Sequence, residues 1–167
     1  MGDWVFEQPE KNVSTILKGI KEEASGTQIN YVDVGWNMRA LDSAKIEKAI
    51  QTAKSSDLAI VIVGEDSFRQ HWKEKTCGEN RDRMDITLWG KQDYLVESIY
   101  KTGVPTIVIL VNGRPLATGW VAENIPAVIE AWEPGSMGGK AIAEILFGKV
   151  NPSGKLPITI PRHVGQI

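Results

Sequence analysis

The chain predicts an α/β domain, a three-layer α/β/α sandwich around an open, mainly parallel sheet. Three observations carry this. Unbroken apolar runs stand at Leu58 to Val63 (LAIVIV), Thr106 to Val111 (TIVILV) and Ala127 to Trp132 (AVIEAW); such runs mark strands buried on both faces, as parallel strands are. Segments with helical spacing alternate with them, which favours crossover connections over hairpins. The length of 167 residues fits one domain and falls well short of the roughly 250 residues of a (β/α)₈ barrel.

The elements follow in order. Val13 to Ala24 places Val13, Ile16, Leu17 and Ile20 on one helical face, with Asn12 as cap. Ile29 to Val34 (INYVDV) alternates and predicts a strand. Ser43 to Lys54 is a helix capped by Asp42 or Ser43. A long polar loop separates the first apolar run from a helix over Lys91 to Tyr100, which stops at Gly103. Gly139 to Phe147 forms a helix closed by Gly148, and Ile158 to Ile160 is a short edge strand between prolines.

Composition removes several functions. The net charge is -2, with 42% hydrophobic and 24% charged residues, both signs interspersed; neither a nucleic-acid surface nor a polybasic membrane surface is present. The N-terminus is polar and acidic, unlike a signal peptide. A single cysteine, Cys77, excludes an internal disulfide. His71 and His163 are far apart and Cys77 has no CxxC partner, so no metal site is expected. Neither GxGxxG after a strand nor GxxxxGK[ST] occurs, and no cofactor is expected. Gly135 to Gly139 reads as a tight turn into a helix before it reads as an anion site. Cys77 reads as a buried thiol before it reads as a nucleophile.

Ligand-binding loops of open α/β sheets lie beyond the carboxyl ends of the strands. Here those loops are Gly64-Glu65-Asp66, Asn112 to Pro115 and Glu133 to Ser136. The long loop after the first contains TCGENRDRMDITL (Thr76 to Leu88). On residue chemistry alone, Glu79 is either a salt-bridged surface group or a general acid. Arg81 and Arg83 would lower its pKa unless they point elsewhere. The loop is poor in apolar residues, so little burial is expected to offset its ordering. Trp36, Trp72, Trp89 and Trp120 lie outside the periodic segments; they either cover the ends of the core or line a groove.

The pattern Gly78, Glu79, Asp82, Arg83, Ile86, Leu88 and Gln92 resembles the second domain of glycoside hydrolase family 3. NGRP, AWEPG, FGKVNPSGKLP and PRHVGQ extend the resemblance over essentially the whole chain, read as a single domain over residues 1–167. The resemblance implies a retaining exo-acting β-glucosidase or β-xylosidase acting on terminal β-linked sugars. Glu79 would be its acid/base and an aspartate on a (β/α)₈ barrel its nucleophile. The chain would be an excised or engineered domain, inactive alone, with Trp72 and Arg69 as candidate sugar contacts. The parent enzyme is expected in the periplasm or secreted. The family's proline after Leu88 is Trp89 here, which puts the start of the next helix in doubt. Trp72, Met84 and Trp89 would form an apolar patch and support a homodimer. The competing reading is a free-standing or engineered binding or scaffold module of flavodoxin-like architecture.

Overall fold

The computed structural model of the chain describes residue 6 and residues 8–68 and 71–166. At its centre three parallel strands lie side by side in chain order: β1 (Ala59–Gly64), β2 (Thr106–Val111) and β3 (Ala127–Glu130). Ala59 lies opposite Thr106 and Gly64 opposite Val111, while Ile107 lies opposite Ala127. The helices are α1 (Ile16–Glu23), α2 (Ser43–Lys54), α3 (Gln92–Tyr100), α4 (Gly119–Asn124) and α5 (Gly138–Leu146).

The two-residue period of the strands sorts side chains between two layers. Val61, Val63, Val108 and Leu110 pack with Ile46 and Ile50 of α2, Leu95, Val96 and Ile99 of α3, and Val121 of α4 in the larger core. Ile60 points the other way and packs with Ile20 and Ala24 at α1 and Ala143 of α5. The result is the expected α/β/α sandwich. Helices α1 and α5 touch almost backbone to backbone. A Cβ on Gly19 would sit 2.2 Å from the Gly139 carbonyl oxygen, and one on Gly139 would sit 2.1 Å from the Thr15 carbonyl oxygen.

The free edge of β1 is closed at one point by a side chain. Ala59 and Glu65 donate their N–H groups toward β2, to Pro105 O and Val111 O. Gly64 faces outward, where its N–H donates to Gln92 Oε1 (2.7 Å) and its carbonyl accepts from Gln92 Nε2 (2.8 Å). The Gln92 amide, at the first turn of α3, thus takes the place of a neighbouring peptide unit.

Several expectations need correction. Ile29 to Val34 is not a strand: the segment makes no ladder with β1, and Ile29 and Val34 pack instead against the smaller and larger cores. Ile158 to Ile160 is not a strand either; Leu156 and Ile158 stand exposed. The first helix starts three residues later than the spacing suggested, because Thr15 rather than Asn12 caps it, its hydroxyl accepting from Lys18 N at 3.1 Å. Asp42 caps α2 as expected. The third strand ends at Glu130, and Ala127 and Val128 are exposed, because β3 is an edge strand among the described residues. Helix α4 is too short, in GWVAEN, to show a helical period.

The Gly19–Gly139 approach predicts that Gly19→Ala forces α1 off α5 and costs about 1–3 kcal/mol. Gly154→Ala, where an added Cβ meets nothing within 4 Å, should leave the urea midpoint nearly unchanged. Equal midpoints for the two variants would refute the tight crossing.

Candidate functional site

Two of the loops at the carboxyl ends of the strands, those after β1 and β2, converge on one buried carboxylate. Glu65 follows β1, and its side chain is fully buried. Arg83 Nη1 donates to Oε1 at 3.0 Å and Arg114 Nε donates to Oε2 at 3.2 Å. Each guanidinium also holds backbone: Arg83 Nη2 donates to Thr87 O at 2.8 Å, and Arg114 Nη2 donates to Arg81 O at 2.7 Å. Burial pushes the Glu65 carboxyl above its ordinary value, against the pull of Arg114 and Arg83.

The base of the long loop is closed by a second set of bonds. Thr76 N and Cys77 N both donate to Asp66 O, at 2.7 and 3.2 Å, and Asp66 N donates to Thr76 Oγ1 at 2.8 Å. Lys75, Thr76, Cys77, Ile86 and Leu88 are buried. The expectation of little burial therefore fails at the base of the loop, where Cys77 and Ile86 are buried together with the long side chain of Lys75.

From this base the chain turns outward at Glu79, whose side chain is exposed. Its neighbours Gly78 and Asn80 both have left-handed backbone, with φ of +90° and +58°. Glycine and asparagine tolerate that region best, so GEN is a local sequence suited to a reversal with the carboxylate at its apex. Arg83 is committed to Glu65, and Arg81 Nη2 donates to the Trp72 carbonyl.

The upstream limb of the loop carries aromatic and cationic groups. Trp72 is 42% exposed, with Lys75 Nζ 3.8 Å from its ring centroid. Trp36 stacks on His71 at 3.9 Å and is itself half exposed. The second candidate sugar contact, Arg69, lies outside the described residues. Trp120 packs against the larger core and meets Tyr100 edge-on at 5.5 Å, so it covers the core.

Trp89 does not present the open apolar surface expected of it. Two guanidiniums lie over its ring, with Arg39 Cζ 3.8 Å and Arg83 Cζ 4.3 Å from the centroid. Helix α3 begins at Gln92, after a turn at Gly90 with φ of +62°. Of the proposed patch, Trp72 and Met84 remain exposed.

The other loop readings resolve simply. The first amides of α5 are used internally, Gly138 N by Gly135 O and Gly139 N by Ser14 O, as a tight turn requires. Cys77 is 1% exposed, and its Sγ lies 3.9 Å from Glu133 Oε1. Burial and the carboxylates of Glu65 and Glu133 push its pKa up to about 12, the opposite of an activated nucleophile.

This geometry is joined by likeness to known proteins. The profile described as "Glycosyl hydrolase family 3 C-terminal domain" matches residues 1–167. The chain belongs to glycoside hydrolase family 3. A β-xylosidase of Formosa agariphila is 43% identical over 154 residues, covering 92% of this chain and 20% of the relative. A periplasmic β-glucosidase of Salmonella typhimurium is 43% identical over 124 residues, 74% of this chain and 15% of the relative. Among solved structures, the β-glucosidase of Listeria innocua in complex with isofagomine superposes with a TM-score of 0.81 at 28% identity, covering 100% of this chain and 22% of that one. This family 3 domain spans about a fifth of the length of those relatives. The reading as a free-standing flavodoxin-like module finds no support, since the family profile matches the whole chain.

Two outcomes follow for the family 3 domain. Glu65→Gln leaves two largely buried guanidiniums without their counter-charge and should cost about 3–5 kcal/mol in urea unfolding; a loss below about 1 kcal/mol would mean the pairs are dispensable. Cys77 at pH 8 should react with an aromatic disulfide reagent at least about a hundredfold more slowly in the native chain than in denaturant, because it lacks both access and thiolate. Comparable rates would show that the thiol is open.

Proposed function

We infer that this domain supplies Glu79 as the acid/base of a retaining, exo-acting β-glucosidase or β-xylosidase. The nucleophilic aspartate would belong to a (β/α)₈ barrel outside residues 1–167. The observation that carries the reading is the setting of Glu79: an exposed carboxylate at the apex of a reversal whose base is locked by Glu65, Arg83 and Arg114. A group that must meet a bond on another domain needs such a foundation.

In a retaining mechanism two carboxyl groups stand about 5–5.5 Å apart across the glycosidic bond. Glu79 would protonate the leaving oxygen as the sugar passes to the aspartate, then take a proton from the water that releases it. Such an acid works best with a pKa near the operating pH. Enclosure of the exposed Glu79 by barrel and sugar would supply the desolvation that raises it. No cofactor enters this chemistry. Terminal β-linked sugars are the proposed substrates, with Trp72 and Arg69 as sugar contacts at the rim. Residues 1–167 would form one domain of that enzyme. The half-exposed Trp72 and exposed Met84 would be covered by the barrel, and without it they favour pairing of two copies.

The test uses aryl β-glucosides and β-xylosides. The chain alone should show no Glu79-dependent turnover. In the complete enzyme carrying this domain, Glu79→Gln should lower kcat about 10²–10⁴-fold on unactivated substrates; on dinitrophenyl glycosides, whose departure needs no acid, azide should speed release of the sugar as a β-glycosyl azide. Glu79-dependent turnover by the chain alone, or a fully active Glu79→Gln enzyme, would sink the reading.

A further inference from the structure

A strap of chain crosses the acid loop from outside. It runs from Gly35 to Ala40, with its turn held by Asn37, whose Oδ1 accepts from Arg39 N at 3.0 Å and whose carbonyl accepts from Ala40 N at 3.0 Å. Trp36 at its start stacks on His71 of the loop. Arg39 reaches the loop in two directions. Its Nε donates to Glu74 O at 3.1 Å and its Nη2 donates to Lys75 O at 3.3 Å, on the limb leading into Glu79. Its guanidinium lies over the Trp89 ring, and so does that of Arg83 from the limb leading out. Gly90 fits so closely beneath the strap that a Cβ there would lie 2.6 Å from Met38 O.

Two like charges approach one another only where something offsets their repulsion. The indole does this, since its negative π cloud attracts both cations. The stack thereby couples a residue that fixes positions 74 and 75 to one that fixes positions 65 and 87. Glu79 lies between those anchors, and a displacement of about 1 Å in a reacting group can cost about a hundredfold in rate. Leu88 is followed by proline in the family's pattern, so this arrangement belongs to the chain's own Trp89.

We propose that Trp89, held by both Arg39 and Arg83, is a positioning residue that sets where the Glu79 carboxylate stands, a role that rests on Glu79 being the acid/base. The stack joins the two limbs of the loop so that they move as one body, and it makes the Gly35–Ala40 strap part of the acid/base apparatus.

Leaving-group chemistry separates this from a purely structural role. A misplaced acid slows departure of a phenol that needs a proton and leaves departure of a dinitrophenolate nearly untouched, whereas loss of folded enzyme slows both alike. The complete enzyme carrying this domain is assayed with phenyl and dinitrophenyl glycosides as Trp89→Ala, Trp89→Phe, Arg39→Gln and Glu79→Gln, with melting temperature recorded for each. Trp89→Ala and Arg39→Gln should each lose about tenfold in kcat/KM on the phenyl glycoside, a part of what a general acid supplies. Each should lose less than about twofold on the dinitrophenyl glycoside, and Trp89→Phe, which keeps an aromatic ring, should retain both activities. Glu79→Gln should show the same selectivity more strongly. Equal losses on both substrates, or none, in Trp89→Ala and Arg39→Gln would overturn the positioning role while a selective Glu79→Gln leaves the acid/base reading standing. A Glu79→Gln without selectivity would overturn both.

Discussion

A carboxylate buried at the end of a strand is the constraint on which the rest of the site depends. Taking an ionised Glu65 out of water is costly unless it is paired and hydrogen-bonded. The chain meets that cost with arginines from two different loops, and each arginine has donors left for backbone carbonyls. Guanidinium suits the task better than ammonium because its planar fork can serve a carboxylate and a carbonyl together. The loop after β1, the loop after β2 and the segment from Arg81 to Thr87 are thereby tied to one point. The pairing gives geometry to a region with few apolar contacts.

Around that point the long loop divides into a fixed base and a projecting apex. The base closes through Asp66, Thr76 and Cys77 and buries Lys75. The apex needs only two residues able to adopt left-handed backbone, and Gly78 and Asn80 supply them. Charge is segregated in the same way. Arginine is held inward, and the Glu79 carboxylate is held outward. The density of charge in TCGENRDRMDITL is thus two populations with different partners, interleaved along one stretch of chain.

What could be read in advance follows from the range of the interaction concerned. β2 was legible because burial on both faces writes itself as an unbroken apolar run; β1 carries such a run too, although Ile62 on its second face stands exposed. The Asp42 cap was legible because capping is local. INYVDV misled because alternation records which residues face a core, and Ile29 and Val34 do face cores without pairing to a strand. AVIEAW misled in the opposite sense, being apolar yet lying at an edge. In the site, Glu79 stood out through its motif, and Glu65 and Arg114 were placed at the correct edge by strand direction. Their pairing was not legible, because 49 positions separate them. The stack of Arg39 on Trp89 joins residues that no local period relates, and only the strap's path brings them together.

The amide of Gln92 on the outer edge of β1 has a consequence for the life of the molecule in a crowded solution. An open strand edge is a template on which other chains can add, and such addition propagates into aggregates. At Gly64 both hydrogen-bonding groups are already engaged by one buried side chain. An incoming strand would have to break both bonds of that amide to Gly64 before it could pair there. The same side chain that starts α3 therefore acts as a stopper at the end of the sheet nearest the loops, limiting addition there to the part of β1 farther from Glu79.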